Sequence, residues 1–469
     1  MTIIEKLKEL GYETVDSDFY EKVAQWKSWY IGDVKGFHEY KVKTGKDKVN
    51  CKRYSLGMAK KVSEDWANLL LNEKVKITLE SPKEQEFVDS VLRDNHFKIK
   101  GNEMQEIKCA LGTVAYIPRV VGAKLNGPAD KIILDYATVE HIFPLSWVNG
   151  AVEECAFANV VNVSGDEFLY MQIHRKDENG DYIIENRIFN YKDGNVGSEG
   201  RLQDVRGFEN VAPLVNTHSK QRQFVIDRPN IANNYDHTNP LGVSVYANAV
   251  DVLASCDVAY DAFVMDFVTG KRRLFVSPAA TRYEDGEPAF DSNDVAFYTL
   301  PEDVTGENKP VQEVGGNFAV QDTSAGVQTS LNMLSSKCGM GENHYRFDNG
   351  SVSTATQIIS ENSTMFRTVK KHEIILESAL IELCRIILRL GNAAMSKGLN
   401  EEVEISIDFD DSIIEDKETD FNHDLRLLDA GIMNDWEFRA KWMNEDEATA
   451  KKSLPRMEDM TTEPQYETE

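Results

Sequence analysis

The sequence predicts an α+β protein in which long helices frame two separate blocks of strand-forming residues. Three observations carry this. Apolar residues recur every three or four positions in residues 52–72 and 241–267, the period of a helix with one buried face. Between residues 113 and 226 the pattern changes to β-rich runs bounded by turns: TVAYIPRVV, KIILDYATV, VEECAFANVVNV, EFLYMQIHRK and DYIIENRIFNY. Between residues 271 and 321, Pro301, Pro310 and Gly315-Gly316 punctuate short strand-like runs. A small β-rich module between two helices is expected there.

In chain order, residues 3–10 and 17–30 read as short helices, the second with Phe19, Val23, Trp26 and Tyr30 on one stripe. Residues 52–72 form a strong helix with Leu56, Ala59, Val62, Trp66, Leu69 and Leu70 inward, followed by a strand over Val75–Leu79. Helices near 82–95 and 102–111 end at Gly112. Within the β-rich block, Asn179-Gly180 marks a hairpin turn, and its acidic surroundings lack the spacing of a calcium loop.

Asn239-Pro240 is a helix start signal. Leu241, Val245, Ala249, Val252, Cys256, Ala259, Phe263 and Phe267 then keep one face apolar, giving a helix roughly 40 Å long that closes at Gly270. After the β-rich module, Asp322–Cys338 is the returning helix, and Met340–Ser351 is a loop. A long helix from Ser353 or Thr354 to about Leu390 ends at Gly391, with a kink expected near Asn362-Ser363. Glu401–Phe409 reads as a strand, and helices near 415–430 and 434–450 follow.

The chain has 469 residues, of which 41% are hydrophobic and 9% aromatic, enough for roughly two to four domains with a sizeable core. No apolar run approaches the ~18 residues of a membrane span. Even the stretch from Ile374 to Leu390 is broken by Glu377, Glu382, Arg385 and Arg389. The N-terminus MTIIEKLKEL starts an amphipathic helix and lacks a signal-peptide core, so synthesis in the cytoplasm is expected. Six scattered cysteines form no C-x-x-C pair, which argues for reduced core thiols.

The net charge of −26 excludes a protein that grips a duplex through a basic face. The only basic runs are short, as in Lys271-Arg272-Arg273 and Lys370-Lys371. An acidic surface can still handle DNA by surrounding it, because repulsion prevents sticking. Residues 401–469 hold 22 acidic against 7 basic side chains.

Phosphate-binding, dinucleotide-binding and nucleophile-elbow motifs are absent, and the nine histidines show no zinc spacing. Asp408, Asp410 and Asp411 read either as a solvated strand end or as a metal-ion nuclease cluster. His344 beside Tyr345 and Asp348 reads either as a plain loop or as part of an active-site lid.

Three stretches, RYSLGMAKKVSEDWANLLLNEKV (53–75), NPLGVSVYANAVDVLASCDVAYDAF (239–263) and SSKCGMGENHYRFDNGSVSTATQIISENSTMFRTVKKHE (335–373), together with this order of elements, resemble tailed-bacteriophage portal proteins. The resemblance is narrower to the portals of siphophages of Gram-positive bacteria. It implies a ring, typically of twelve copies, at one capsid vertex of the virion. Double-stranded DNA passes through its centre, and the ring has no catalysis and no cofactor. Its implied partners are the terminase large subunit, a head–tail adaptor, and the major capsid and scaffolding proteins, with no membrane.

The implied parts are a wing (1–238, completed by 353–411), stem helices (239–270 and 322–339), a clip (271–321), a tunnel loop (340–352) and an acidic helical crown and tail (412–469). The implied tunnel-loop residues are His344, Tyr345, Arg346, Phe347, Asp348, Asn349, Gly350 and Ser351. Asp251, Asp257, Asp261, Lys271, Arg272 and Asp322 would belong to the stem and channel. Arg282, Tyr283, Glu284, Asp285, Asp291 and Asp294 would serve docking at the clip. The alternatives are a metal-dependent hydrolase or nuclease, and a monomeric virion adaptor.

Overall fold

The chain opens on a capping box. Thr2 Oγ1 accepts from the Glu5 N–H at 3.2 Å while the Glu5 carboxylate accepts from the Thr2 N–H at 2.7 Å, starting helix α1 (Ile3–Glu9). The computed structural model describes residues 1–44, 47–122, 129–269, 273–276, 283–284, 287–288, 297–299, 311–314, 319–346, 355–409, 417–443 and 445–453. They fall into two compact units, one of Met1–Gly350 with Thr364–Phe409, the other of Ser351–Ser363 with Asp410–Glu469.

In the first unit, helix α2 (Ser17–Ile31) buries Phe19, Val23 and Trp26 as its stripe predicts. The fourth buried position is Trp29, and the neighbouring Tyr30 reaches sideways to donate its hydroxyl to Glu106. An antiparallel hairpin follows, β1 (Glu39–Thr44) with β2 (Asp47–Lys52), which the lysine-rich sequence did not suggest. Strand β3 (Lys76–Leu79) lies where the sequence places it, whereas helix α3 (Met58–Leu70) starts six residues later than expected, because Lys52 ends β2 and Gly57 takes a left-handed conformation that leaves Leu56 before the helix. Helix α4 (Pro82–Asp94) starts on its proline, and α5 (Phe97–Leu111) ends at Gly112 in the left-handed region.

Strands β4 (Val114–Val121) and β5 (Lys131–Thr138) pair antiparallel. A larger meander then runs through β6 (Ile142–Val148), β7 (Ala151–Val163), β8 (Asp166–Lys176), β9 (Tyr182–Lys192) and β10 (Asn195–Gly200), each beside the next. Asn179-Gly180 turns between β8 and β9, with Gly180 at φ +82° and Asp177 Oδ1 accepting from the Asn179 and Asp181 N–H groups. Leu169, Met171 and Ile173 alternate inward on β8 and meet Phe143, Ala156, Phe189 and Leu7 in one core. Strand β11 (Leu214–Asn216) pairs with β9, and β12 (Val225–Asp227) adds to β4. A fully buried ion pair joins this last sheet to α5. Lys108 Nζ lies 3.1 and 3.2 Å from the Asp227 carboxylate, which also accepts from Gln105 at 2.7 Å.

Helix α6 (Val250–Thr269) leads to strands β13 (Arg273–Val276), β14 (Tyr283–Glu284), β15 (Glu287–Pro288), β16 (Phe297–Thr299) and β17 (Val311–Val314). β13 pairs parallel with β16 and antiparallel with β17, while β14 and β15 form a separate two-stranded ladder. The chain returns through α7 (Val320–Lys337). Helix α8 (Ala355–Met395) has 41 residues and includes Asn362-Ser363, where a kink was expected. It also runs through Gly391, the expected stop. A Cβ at Gly391 would sit 2.7 Å from the Phe87 ring, so this glycine permits close packing on α4. The helix stops later, where Ser396 and Gly398 take positive φ and the Asn392 side chain exchanges hydrogen bonds with the backbone of Leu399. Strand β18 (Ile405–Asp408) closes the unit against β3.

The second unit contains α9 (Lys417–Asp429), α10 (Asp435–Met443) and α11 (Glu447–Lys452). Phe421 meets Phe438 and Trp442 with ring centroids 5.3 and 5.1 Å apart, and Asp424 accepts from Trp442 Nε1 at 3.1 Å. Five of the six cysteines are buried, and all are free thiols.

His174 is buried with neither ring nitrogen bonded, its ring edge-on to Phe157 and Phe224. Burial pulls its pKa from 6.5 down to about 3. Burial beside Lys108 and Lys371 does the same to His372. Both are neutral in the fold and charge on unfolding, so their contribution is complete above pH 6.5 and is lost as pH falls from there towards about 3. Replacing His174 with Phe keeps the cage filled and removes one of these protons. Urea unfolding of H174F is expected to show a slope with pH shallower by about 1.4 kcal/mol per unit below the histidine range, with stability at neutral pH retained.

Candidate functional site

The longest helical pair after α8 is built on two glycines. The segment before α6 approaches the end of α5 so closely that a Cβ on Gly242 would strike the carbonyl of Gly112, and the reverse. Gly242 N–H donates to Thr113 Oγ1 at 2.8 Å, Val245 N–H to the Cys109 carbonyl at 3.0 Å, and Tyr246 O–H to the Trp26 carbonyl at 3.0 Å. These bonds hold residues 241–246 out of helical conformation. The helix begins at Val250 after a single 3-10 turn, Ala247–Ala249, and not at Pro240 as the start signal suggested. At 20 residues it is about 30 Å long.

Asp257 then fastens α6 to the N-terminal region. It is 3% exposed, and its Oδ1 accepts from the Leu56 N–H at 2.7 Å. Its Oδ2 accepts from Ser55 Oγ at 3.1 Å and lies 2.8 Å from His38 Nε2. The Val34 N–H donates to His38 Nδ1 at 2.8 Å, so that nitrogen is unprotonated and Nε2 carries the hydrogen given to Asp257. One turn on, Asp261 accepts from the Tyr54 N–H at 3.0 Å. Asp257, expected among the stem and channel residues, lies on α6 with its carboxylate bonded inside the subunit. Leu253 and Cys256 are buried beside it. The clue in the sequence is the spacing, since Asp257 is four residues beyond Leu253 on the same face.

Helix α7 runs antiparallel to α6. Ser255 Oγ and Ser330 Oγ are 3.1 Å apart near the base, and Asp266 accepts from the Ala319 N–H at 2.9 Å near the far end. This last bond places a carboxylate on an orphan donor at the start of α7. Val327, Leu331 and Leu334 are buried along its spine, as the sequence indicates. Towards the far end α6 emerges into solvent at Met265, Phe267 and Val268. Nearer the base, Val258 on α6 and Met333 on α7 are also exposed. Asp251 and Asp322 are also exposed, and Asp261 is partly so.

Beyond α7 the chain is fastened down before it leaves the described residues. Gly339 takes φ +78°, and Trp66 Nε1 donates to the Cys338 carbonyl at 3.1 Å. Gln328 Nε2 donates to the Tyr345 carbonyl at 2.7 Å, and His344 Nε2 lies 3.8 Å from Asp65. Burial and the Asp65 charge raise the Tyr345 phenol well above its usual range. Arg346 is exposed. Phe347, Asp348, Asn349, Gly350 and Ser351 lie outside the described residues, as do Lys271, Arg272, Arg282, Asp285, Asp291 and Asp294. Tyr283 and Glu284 form strand β14. Asp408 ends β18, whereas Asp410 and Asp411 also lie outside the described residues. Among the described residues no group of three or more His, Cys, Asp or Glu side chains is placed to hold a metal ion, and no helix is long and apolar enough to cross a membrane.

A folded α+β body carries an anchored helical pair, with a small β module between the two helices. The chain belongs to the phage portal protein family: the profile described as "Phage portal protein, SPP1 Gp6-like" matches residues 12–461. That makes it a structural component of a phage virion. A comparison with curated proteins finds no match. Among solved structures, the chain is similar to one in "Neck of empty GTA particle computed with C6 symmetry", 12% identical with a TM-score of 0.42, covering 90% of this chain and 92% of that one. It is also similar to one in "Virion of native gene transfer agent (GTA) particle", 9% identical with a TM-score of 0.38, covering 91% and 94%.

Replacing Asp257 with Ala strips the acceptor from three donors, the His38 ring, the Ser55 hydroxyl and the Leu56 N–H. Urea titration of D257A is expected to show a loss of about 3 kcal/mol. Limited proteolysis is expected to cut earlier near Tyr54 than in the unaltered chain.

Proposed function

We propose that this chain forms the portal ring of a phage capsid, a closed assembly of about a dozen copies around an open centre. The observation that carries the reading is the α6–α7 pair. Its base is bonded into the body, yet the pair exposes Val258 and Met333 nearer the base and Met265, Phe267 and Val268 towards the far end, where a soluble monomer would bury or avoid them. Family membership supports the same conclusion.

In this reading α6 and α7 are the stem, and Asp251, Asp261 and Asp322, with Lys271 and Arg272, line or border the channel. The acidic wall keeps DNA moving, since like charge repels the duplex only within a Debye length of about 10 Å at moderate salt. The module between the stem helices is the clip. Arg282, Tyr283, Glu284, Asp285, Asp291 and Asp294 meet first the terminase large subunit and later the head–tail adaptor. The residues after Arg346 form the tunnel loop facing DNA, with His344 and Tyr345 as its fixed root. Residues 1–238 and 353–411 make the wing, and residues 412–469 the acidic crown, where capsid and scaffolding proteins meet the ring.

Native mass spectrometry with negative-stain imaging of the purified chain is expected to show rings of about a dozen copies with a central opening. A monomer at every concentration contradicts the reading. Deleting residues 347–350 is expected to leave rings intact, because the loop root stays bonded to α3 and α7. The same deletion is expected to abolish DNA packaging in a phage complementation assay, and normal packaging would remove the tunnel-loop assignment.

A further inference from the structure

The turn between β6 and β7 and the segment leading to the stem enclose a cavity of about 480 Å3. Asn149 and Gly150 make the turn with φ of +51° and +78°. The register of β6 against β7 shifts around Ser146 and Trp147, re-aiming Trp147 into the wall, where its Nε1 donates to the Thr238 carbonyl at 2.8 Å. The opposite wall is residues 228–239. Most of the polar groups here are committed. Asn233 Oδ1 accepts from the Tyr235 and Asp236 N–H groups, and its Nδ2 donates to the Leu241 carbonyl at 3.2 Å. The neighbouring Asp236 carboxylate is held by the N–H and hydroxyl of Thr238.

Two donors are not committed. The Arg228 guanidinium is half-buried against Gly150, where a Cβ would lie 3.4 Å from Nη2, and has no ion pair or hydrogen bond among the described residues. Asn239 is 4% exposed. Its Oδ1 accepts from the Leu241 N–H at 2.9 Å, but its Nδ2 has no partner. His237 stands exposed at the rim. Among the described residues no Asp or Glu lines the cavity, in a chain where acidic side chains outnumber basic ones 78 to 52. A half-buried guanidinium without a partner beside a polar space is costly until an oxyanion fills that space, and the unsatisfied Asn239 amide lies in the same wall.

We propose that this cavity is an oxyanion site that receives a carboxylate side chain from a second copy of this chain, making Arg228 an anchor between subunits. This rests on the ring reading above. The cavity wall continues through Asn239-Pro240 into the foot of the stem, the element whose exposed apolar side chains call for a neighbouring copy. A neighbour with this composition presents carboxylates in excess, and a planar guanidinium can take one through two parallel N–H bonds. The same excess charge repels a DNA backbone.

The test compares full-length wild type, R228Q and R228K by mass photometry across dilution and salt, with thermal melting of the subunit fraction. R228Q is expected to need roughly tenfold more protein to hold its rings, while its subunits melt no lower than wild type, since an unmatched buried charge has been removed. R228K, which keeps charge but loses the fork, is expected to fall between. R228Q rings as persistent as wild type overturn the proposal, as does a lower subunit melting temperature with assembly unchanged. Inorganic phosphate that raises the melting temperature of wild-type but not R228Q subunits, with equal ring stability, assigns the site to a free anion instead. Weaker DNA retention by otherwise normal R228Q rings assigns it to a phosphate backbone, and either result overturns the second-copy occupant. A wild-type chain that never assembles overturns the ring reading itself, a result separate from any effect of Arg228.

Discussion

One carboxylate sets the relation between helix α6 and the body. Asp257 takes hydrogen bonds from the His38 ring, the Ser55 hydroxyl and the Leu56 backbone, groups that lie some two hundred positions earlier in the chain. Those groups come from the hairpin region and the entry to α3, which otherwise share little with a helix so distant in sequence. Charge-assisted bonds are directional and stronger than neutral ones, so they fix the angle of the helix as well as its depth. An apolar side chain at this position would fill the space but would orphan a backbone donor and an imidazole, both out of water. The Gly112–Gly242 approach works on the same joint from the other side, bringing the backbone that leads into α6 against the end of α5.

Much of this fold is legible in the sequence, and the failures have identifiable causes. Helices α3, α7 and α8 announce themselves through apolar spacing, because each buries one face against a continuous core. The meander strands do so through alternation and through the Asn179-Gly180 turn. The foot of α6 misleads because Leu241 and Val245 carry a helical spacing for another reason. They are buried in an irregular segment held by hydrogen bonds to Thr113 and Cys109, which no local pattern encodes. Gly391 misleads in the same way, since a glycine that admits an aromatic ring looks like a glycine that ends a helix. The β1–β2 hairpin stays hidden because lysines occupy its strands and dilute the apolar alternation.

At the candidate site the sequence identified the acidic residues but not the direction each one faces. Asp251 and Asp322 are exposed, Asp261 is shared with the Tyr54 backbone, and Asp257 is buried. Four aspartates of one composition thus divide into surface charge and internal acceptor according to their azimuth on two helices. His344 and Tyr345 likewise sit in a loop by sequence, yet pack back towards Asp65 and Gln328. Contacts of this kind join positions far apart in the chain, so they become visible only once the fold has brought them together.

The bond between Asp266 and the Ala319 N–H means that the module between the two helices leaves and re-enters the protein at nearly one point. The ends of that module are pinned whatever lies between them. The entropic cost of a closed loop rises only slowly with its length, by about 0.6 kcal/mol for each doubling. The module is therefore a cassette. Its length and sequence can drift or be exchanged while the helices beneath keep their packing.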